Sequence, residues 1–250
     1  SAASDVYKRQ ILARAIENGG TDEQKRTLLP KIAAGELMSA VAVTEPDHGS
    51  DVASITMSAR PEPSGGWKLN GVKTWCTFAG RADLLMVLAR TNPDTSQGHR
   101  GLSVFVVEKE RSDGHSFDFQ QESGGRMQGK AIPTLGYRGM HSFEIAFQDW
   151  VVPEDSLIGG IEGEGQGFYL QMAGFENGRL QTAARAVGVM QRAYEEAVNY
   201  SQERTVFNNS LRSYELTQVK IGRMVAIIQA CRQYTYDVAE KMSMGNGALE

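Results

Sequence analysis

The sequence predicts an α+β multidomain chain: the end of a helical domain, a central β-barrel or sandwich, and the first part of a helical bundle. Three observations predict it. A capped helical pattern fills residues 11–39. Short alternating segments separated by Gly- and Pro-containing turns fill residues 40–160. Beyond 161, apolar residues recur at helical spacing over two long stretches.

In the helical segment, "GTDEQKRTLLPKIAAGE" opens on Thr21 with Gln24 three positions later. This is a capping box, in which each side chain meets the other's orphan backbone N–H. Pro30 either sits within one helix or divides the pattern into two. The first ten residues, "SAASDVYKRQ", share no pattern with the rest of the chain; "DVYKRQ" resembles a translated adapter remnant and is expected to be an artefact or disordered. The chain also ends on "MSMGNGALE" without a helix stop signal, as a fragment would.

In the strand-rich centre, "WKLNGVKTW" places Asn70-Gly71 between two alternating runs, a strong hairpin signal. "GLSVFVVE" (101–108) and "HSFEIAFQDWVV" (141–152) read as further strands. Residues 91–100 and 109–130, polar and Gly-containing, read as loops. In the last segment, Ala183, Val187, Met190, Tyr194 and Ala197 share one helical face. Ile221, Val225, Ile228, Cys231 and Val238 share another. "NNSLRSY" (208–214) joins them into an antiparallel pair.

Composition narrows the function. With 250 residues, 41% of them hydrophobic and 22% charged, the chain is an ordinary globular protein. A net charge of −4 gives no reason to expect a nucleic acid or an anionic membrane as partner. No apolar run reaches the roughly 18 residues of a membrane span. The two cysteines, Cys76 and Cys231, have no metal-like spacing, and a reduced, cytoplasmic, bacterial protein is the simplest expectation.

Two stretches invite a chemical reading. "AVTEPDHGSDVAS" (42–54) and "VKTWCTFAG" (72–80) each run from an apolar strand end into small or polar residues. Taken alone, either is an ordinary turn. His48 and His141 tempt as acid–base groups, but a surface turn suits His48 better. Asp47 and Asp51 read as turn and cap groups rather than a carboxylate pair.

Several motifs occur in register. "GTDEQK" is followed by "TEPDHGSD", "KTWCTFAGRAD", "FEIAFQDWVVPEDSLIG", "ENGR" and "ERTVF", and together they cover nearly all of residues 11–250. In this order they resemble the acyl-CoA dehydrogenases. The resemblance implies a helical domain, a central β-domain and a C-terminal four-helix bundle, with FAD between the last two. It implies acyl-CoA as substrate, electron-transfer flavoprotein as electron acceptor, and a homo-tetramer or homo-dimer. "GGRMQGKAIPTLGYRGMHSFE" and "GFYLQMAGFENGRLQTAARAVGVMQ" are especially similar to members acting on (2S)-methylsuccinyl-CoA. Such a substrate carries a free carboxylate, for which Arg126 and Arg138 are candidates by charge.

The same resemblance assigns roles. Val41, Val43 and Thr44 would face the pyrimidine edge of the flavin, Thr77 would point its hydroxyl at N5, Trp75 would pack on the ring, and Cys76 would contribute backbone. Hydrogen-bond donors there favour the electron-rich reduced ring. Gly49 would let the backbone approach, and Ser50 would reach the acyl-CoA. Arg204 would meet a neighbouring subunit's FAD pyrophosphate, which suits a guanidinium fork, beside Phe207. Glu176 and Arg179, at the opening of the long helix, would line the substrate channel. Two positions depart from the family: Asn208 stands where glycine follows the Phe, and Tyr214-Glu215 stands where "F-Q" contacts the adenine side.

No catalytic base is identified. The family's glutamate is expected beyond residue 250, and the alternative position just before the "ENGR" arginine is Gly178. An acyl-CoA oxidase, a flavin monooxygenase on the same fold, and a non-catalytic flavin- or CoA-binding homologue remain alternatives. These 250 residues alone are therefore expected not to turn over acyl-CoA. Dehydrogenase activity from them in a dye-reduction assay would refute this.

Overall fold

The computed structural model describes residues 2–136 and 139–244. It divides into two compact units, one ending at Phe175 and the other starting at Glu176.

Helix α1 (Ala2–Gly19) runs through the segment resembling an adapter remnant. Helix α2 (Asp22–Ala34) begins on the predicted capping box. Gln24 N donates to Thr21 Oγ1 at 3.2 Å, and Thr21 N donates to Gln24 Oε1 at 2.9 Å. Gln24 does more than cap. Its Nε2 donates to the carbonyls of Asp155 and Leu157, and Gly159 N donates to its Oε1, so one buried amide fixes α2 to the exit of the β-domain. Pro30 lies inside α2, which continues past it to a left-handed Gly35 (φ 78°).

Eight strands form one mixed sheet: β1 (Ser39–Ala42), β2 (Ser58–Pro61), β3 (Trp67–Thr77), β4 (Leu84–Arg90), β5 (Leu102–Glu108), β6 (Ser116–Gln120), β7 (Arg126–Ala131) and β8 (Ser142–Val152). The spatial order is β1-β4-β2-β3-β8-β7-β6, with β5 also on β4. The pairings β1–β4 and β2–β4 are parallel and the others antiparallel. Strand β4, "LLMVLAR", is buried throughout. Leu85, Val87 and Ala89 enter one core with Phe105, Phe143 and Trp150. Leu84, Met86 and Leu88 enter a second, which α1 closes with Leu12 and Ile16. A strand covered on both faces needs no polar alternation.

Two sequence expectations are corrected here. Asn70-Gly71 is not a hairpin turn: β3 runs straight through it, and the pairing with β8 shifts register between Leu69 and Gly71. The dipeptide serves a bulge. Gly71 has φ 145°, and a Cβ there would lie 2.8 Å from Met57 Cα, while Asn70 accepts from Asp149 N across the bulge at 2.9 Å. The actual β2–β3 turn is at Glu62–Gly66, with Gly65 and Gly66 at positive φ. Residues 109–130 are likewise not all loop. They contain the β6–β7 hairpin, whose inward Phe117 and Phe119 stack at 5.2 Å.

In the second unit, the long helix α3 (Gly167–Glu203) continues from the first unit and is followed by α4 (Glu215–Ser243). Ala183, Val187, Met190, Tyr194 and Ala197 are all half-buried, as the periodicity predicts. On α4, Ile228 is buried, but Cys231 is exposed and Thr235 takes the inward place one turn on. Arg232 Nη2 donates to Gln191 Oε1 at 2.8 Å between the helices. Their link is a two-stranded ribbon, β9 (Thr205–Val206) and β10 (Asn209–Ser210). Its turn residues Phe207 and Asn208 have φ 50° and 60°, both left-handed as a two-residue hairpin requires. Among the described residues, no helix is long and apolar enough to cross a membrane.

Gly71→Ala should lower the unfolding free energy by roughly 2–4 kcal/mol, because the new Cβ meets backbone at a positive φ. Urea denaturation would show this as a lower midpoint with the slope unchanged. An unaltered midpoint would mean that the bulge tolerates a side chain.

Candidate functional site

The site is built where β1 leaves the sheet. Past Ala42 the chain loses its pairing with β4, and Val43, Thr44 and Glu45 are held by other groups. Thr74 N, on β3, donates to Thr44 O at 2.8 Å. Lys73 Nζ donates to Val43 O at 2.8 Å and to Glu45 Oε1 at 2.9 Å. Lys73 is 0% exposed, and Glu45 is almost as deeply buried. The carboxylate also accepts from Thr56 N, Thr56 Oγ1 and Met57 N. A buried ion pair is tolerated only when its remaining bonding positions are filled in this way.

The electrostatics follow from that geometry. Burial alone would raise the Glu45 carboxyl, but the Lys73 ammonium and the Thr56 and Met57 amides hold it below its ordinary value. Burial pulls the Lys73 ammonium down, opposed by Glu45.

Strand β3 breaks register again between Lys73 and Cys76, and Trp75 at the break has φ 58°. Cys76 remains in the core, whereas Trp75 is turned out and 56% exposed. Beyond the break, the Thr77 and Ser142 hydroxyls lie 2.9 Å apart, and the Trp75 carbonyl is 3.4 Å from Thr77 Oγ1.

These two strand ends border one cavity of about 180 Å³, lined by Ile11, Val41, Val43, Thr44, Thr74, Trp75, Thr77 and Phe175. Thr44 and Thr77, predicted from separate stretches, therefore meet at one space. Among the described residues, neither the Thr44 amide nor its hydroxyl has a hydrogen-bond partner. The lining is mostly apolar, with polar groups at Thr44, Thr74 and Thr77. A flat ligand with apolar faces and a hydrogen-bonding edge fits such a lining.

The remaining predicted residues stand elsewhere. Gly49 and Ser50 are exposed; a Cβ on Gly49 would touch only Thr44 Cγ2, at 3.9 Å. Asp51 precedes a short 3₁₀ turn but makes no side-chain cap. His141 lies against His115, their Nε2 atoms 3.1 Å apart, and does not line the cavity. Glu176 and Arg179 do not open α3, which starts nine residues before Glu176 at Gly167, so the charge at 176 does not meet the helix N-terminus. Arg204 directly follows α3 and is exposed, as is Phe207 at 87%. Tyr214 is engaged within the chain, its hydroxyl donating to Val206 O at 2.7 Å. Arg126 is not a free cation: Asp118 holds it bidentately at 2.8 and 2.5 Å. Arg138 lies outside the described residues.

Sequence reasoning missed Ile11, Phe175, Lys73, Glu45 and Ser142. The only local signal was a charged residue inside each motif, in "TEP" and "VKTW".

Comparison with known proteins gives the family. Residues 40–150 match the acyl-CoA dehydrogenase middle domain, and residues 165–249 match the acyl-CoA dehydrogenase C-terminal domain. The chain is 40% identical to (2S)-methylsuccinyl-CoA dehydrogenase of Cereibacter sphaeroides, over 95% of this chain and 42% of that protein. Butyryl-CoA dehydrogenase of Megasphaera elsdenii superposes with a TM-score of 0.79 at 31% identity, over 94% of this chain and 57% of that one. PigA with FAD and proline gives 0.82 at 27%, over 98% and 59%. The chain thus spans about half the length of these relatives. It belongs to the acyl-CoA dehydrogenase family.

Lys73→Met should destabilise the β-domain by about 3–5 kcal/mol, because it strands a buried carboxylate. Glu45 titrates lower in the folded state than its ordinary 4.5. Its contribution is therefore complete above that value and is lost as pH falls through the lowered folded pKa. Glu45→Gln should lower stability at pH 7 and flatten the acid arm of the stability–pH curve. Parallel acid arms in mutant and wild type would contradict this assignment.

Proposed function

We propose that the whole protein catalyses the FAD-dependent α,β-dehydrogenation of an acyl-CoA thioester, with methylsuccinyl-CoA as substrate and mesaconyl-CoA as product, and passes electrons to electron-transfer flavoprotein. One observation carries the flavin reading: Thr44 and Thr77 border the same cavity, beside an exposed indole. The 40% identity to a methylsuccinyl-CoA dehydrogenase supports the substrate.

Bound FAD supplies the acceptor for the hydride that leaves the substrate β-carbon. The chain's own residues bind and orient. Val41, Val43, Ile11 and Phe175 offer apolar surface to a ring and exclude water from it. Among the described residues the Thr44 N–H and hydroxyl have no partner, which leaves them for a polar ring edge. Trp75 offers its indole face. Thr77 presents a hydroxyl fixed by Ser142. No carboxylate is among the residues lining the cavity, so the α-proton is taken by a group outside this lining. With Arg126 engaged by Asp118, the substrate carboxylate needs a different cation.

The purified full-length protein should be yellow, and anaerobic methylsuccinyl-CoA should bleach its flavin band, with butyryl-CoA and isovaleryl-CoA slower. The bleached protein should reoxidise slowly in air and quickly with electron-transfer flavoprotein. Absence of a flavin band would overturn the cofactor reading. Bleaching by another acyl-CoA alone would overturn the substrate. Fast reoxidation in air would make it an oxidase.

A further inference from the structure

We infer that Ser142 is a positioning residue that makes the Thr77 hydroxyl a hydrogen-bond donor toward the ligand in the cavity; this rests on the flavin reading of that cavity. The argument is an accounting of two protons. Ser142, the first residue of β8, is buried, and its Oγ lies 2.9 Å from Thr77 Oγ1. Among the described residues, the Ser142 hydroxyl has no other hydrogen-bond partner.

Thr77 has a second neighbour, the Trp75 carbonyl, at 3.4 Å, the outer limit of a useful bond. Two directions exist for the hydroxyl pair. If Thr77 donated to Ser142, the Ser142 proton would have no acceptor and would be orphaned in a buried place, which is costly. If Ser142 donates to Thr77, both Ser142 and the Thr77 lone pair are satisfied. The Thr77 proton is then left over. Among the described residues its one remaining acceptor is the long Trp75 contact, and its other outlet is the cavity that Thr77 lines.

The direction has a chemical consequence. A hydroxyl that accepts one hydrogen bond becomes a stronger donor in the next. The group presented to the cavity is thus an O–H with its direction fixed and its donor strength raised. Such a donor recognises an electron-rich acceptor atom on the ligand and favours the ligand's more electron-rich state. Backbone pairing of Thr77 with Ser142 across β3 and β8 holds the two side chains in this relation.

The test uses the full-length protein, with FAD removed and added back. Wild type, Ser142→Ala, Ser142→Thr, Thr77→Val and the Thr77→Val/Ser142→Ala double variant are compared by FAD dissociation constant and by midpoint potential. Loss of one neutral hydrogen bond corresponds to about a three- to tenfold change. Ser142→Ala should weaken FAD binding by about that factor and lower the potential, Ser142→Thr should restore both, and Ser142→Ala should add nothing once Thr77 is Val. Equal affinity and potential in Ser142→Ala and wild type would overturn the inference. So would additive effects in the double variant, which would show that Ser142 acts through the fold alone. Failure of the wild-type protein to bind FAD would instead remove the flavin reading itself.

Discussion

The geometry of the cavity depends on one buried ion pair. Lys73 and Glu45 stand 28 residues apart in sequence and come from β3 and from the segment just past β1. The same ammonium that binds the carboxylate also takes the Val43 carbonyl. The carboxylate in turn takes two backbone amides and one hydroxyl from Thr56 and Met57. A single pair of charges therefore ties together three chain segments that no regular strand pairing connects. Replacing it by apolar side chains could fill the same volume, but aliphatic groups would not fix the Val43 carbonyl. Its role is to specify direction more than to add stability.

Strand β3 is where that direction is used. Its two register breaks divide the labour. The first, at Asn70-Gly71, lets β3 pass close to Met57 and is held by Asp149. The second, between Lys73 and Cys76, sends Lys73 inward, Trp75 outward and Cys76 inward again, which a regular alternation would not allow. Without it, Trp75 would lie on the same face as Lys73 and add a large ring to a packed core. The pairing of Thr77 with Ser142 resumes the strand immediately afterwards and sets the far wall of the cavity.

This explains what could be read from the sequence. The Thr21–Gln24 cap is local, so three residues of spacing were enough to find it. The half-buried stripe of α3 is periodic and was also legible, whereas Cys231 on α4 counted as apolar and is exposed. Asn70-Gly71 was misread because the dipeptide supplies positive φ to turns and bulges alike, and the choice lies with Met57 and Asp149, far away in the chain. The β6–β7 hairpin was hidden by its Gly, Ser and Gln content, although Phe117 and Phe119 alternate as a strand should. The cavity residues Val41, Val43, Thr44, Trp75 and Thr77 came from family resemblance, not periodicity. Lys73 was beyond either: a lysine in a strand reads as solvent-facing until its carboxylate is known. Glu176 was placed at a helix start by the family resemblance, yet α3 begins nine residues earlier and runs through it.

Three features lie together near the cavity. Trp75 holds a left-handed backbone, which disfavours a bulky residue by about 1–3 kcal/mol, and it exposes most of a large apolar ring. Thr44, just past a strand end, has an amide and a hydroxyl without a partner among the described residues. Gly49 gives up a side chain where neither its backbone angle nor its neighbours demand glycine. Any one of them is unremarkable in a surface loop. Trp75 and Thr44 line the same space, and Gly49 adjoins Thr44, so the flavin proposed above would meet all three: a flat ring against the indole, an acceptor for the amide and hydroxyl, and room for a close approach at Gly49. Their convergence on one space, more than the shape of the cavity, is what supports the proposed flavin site.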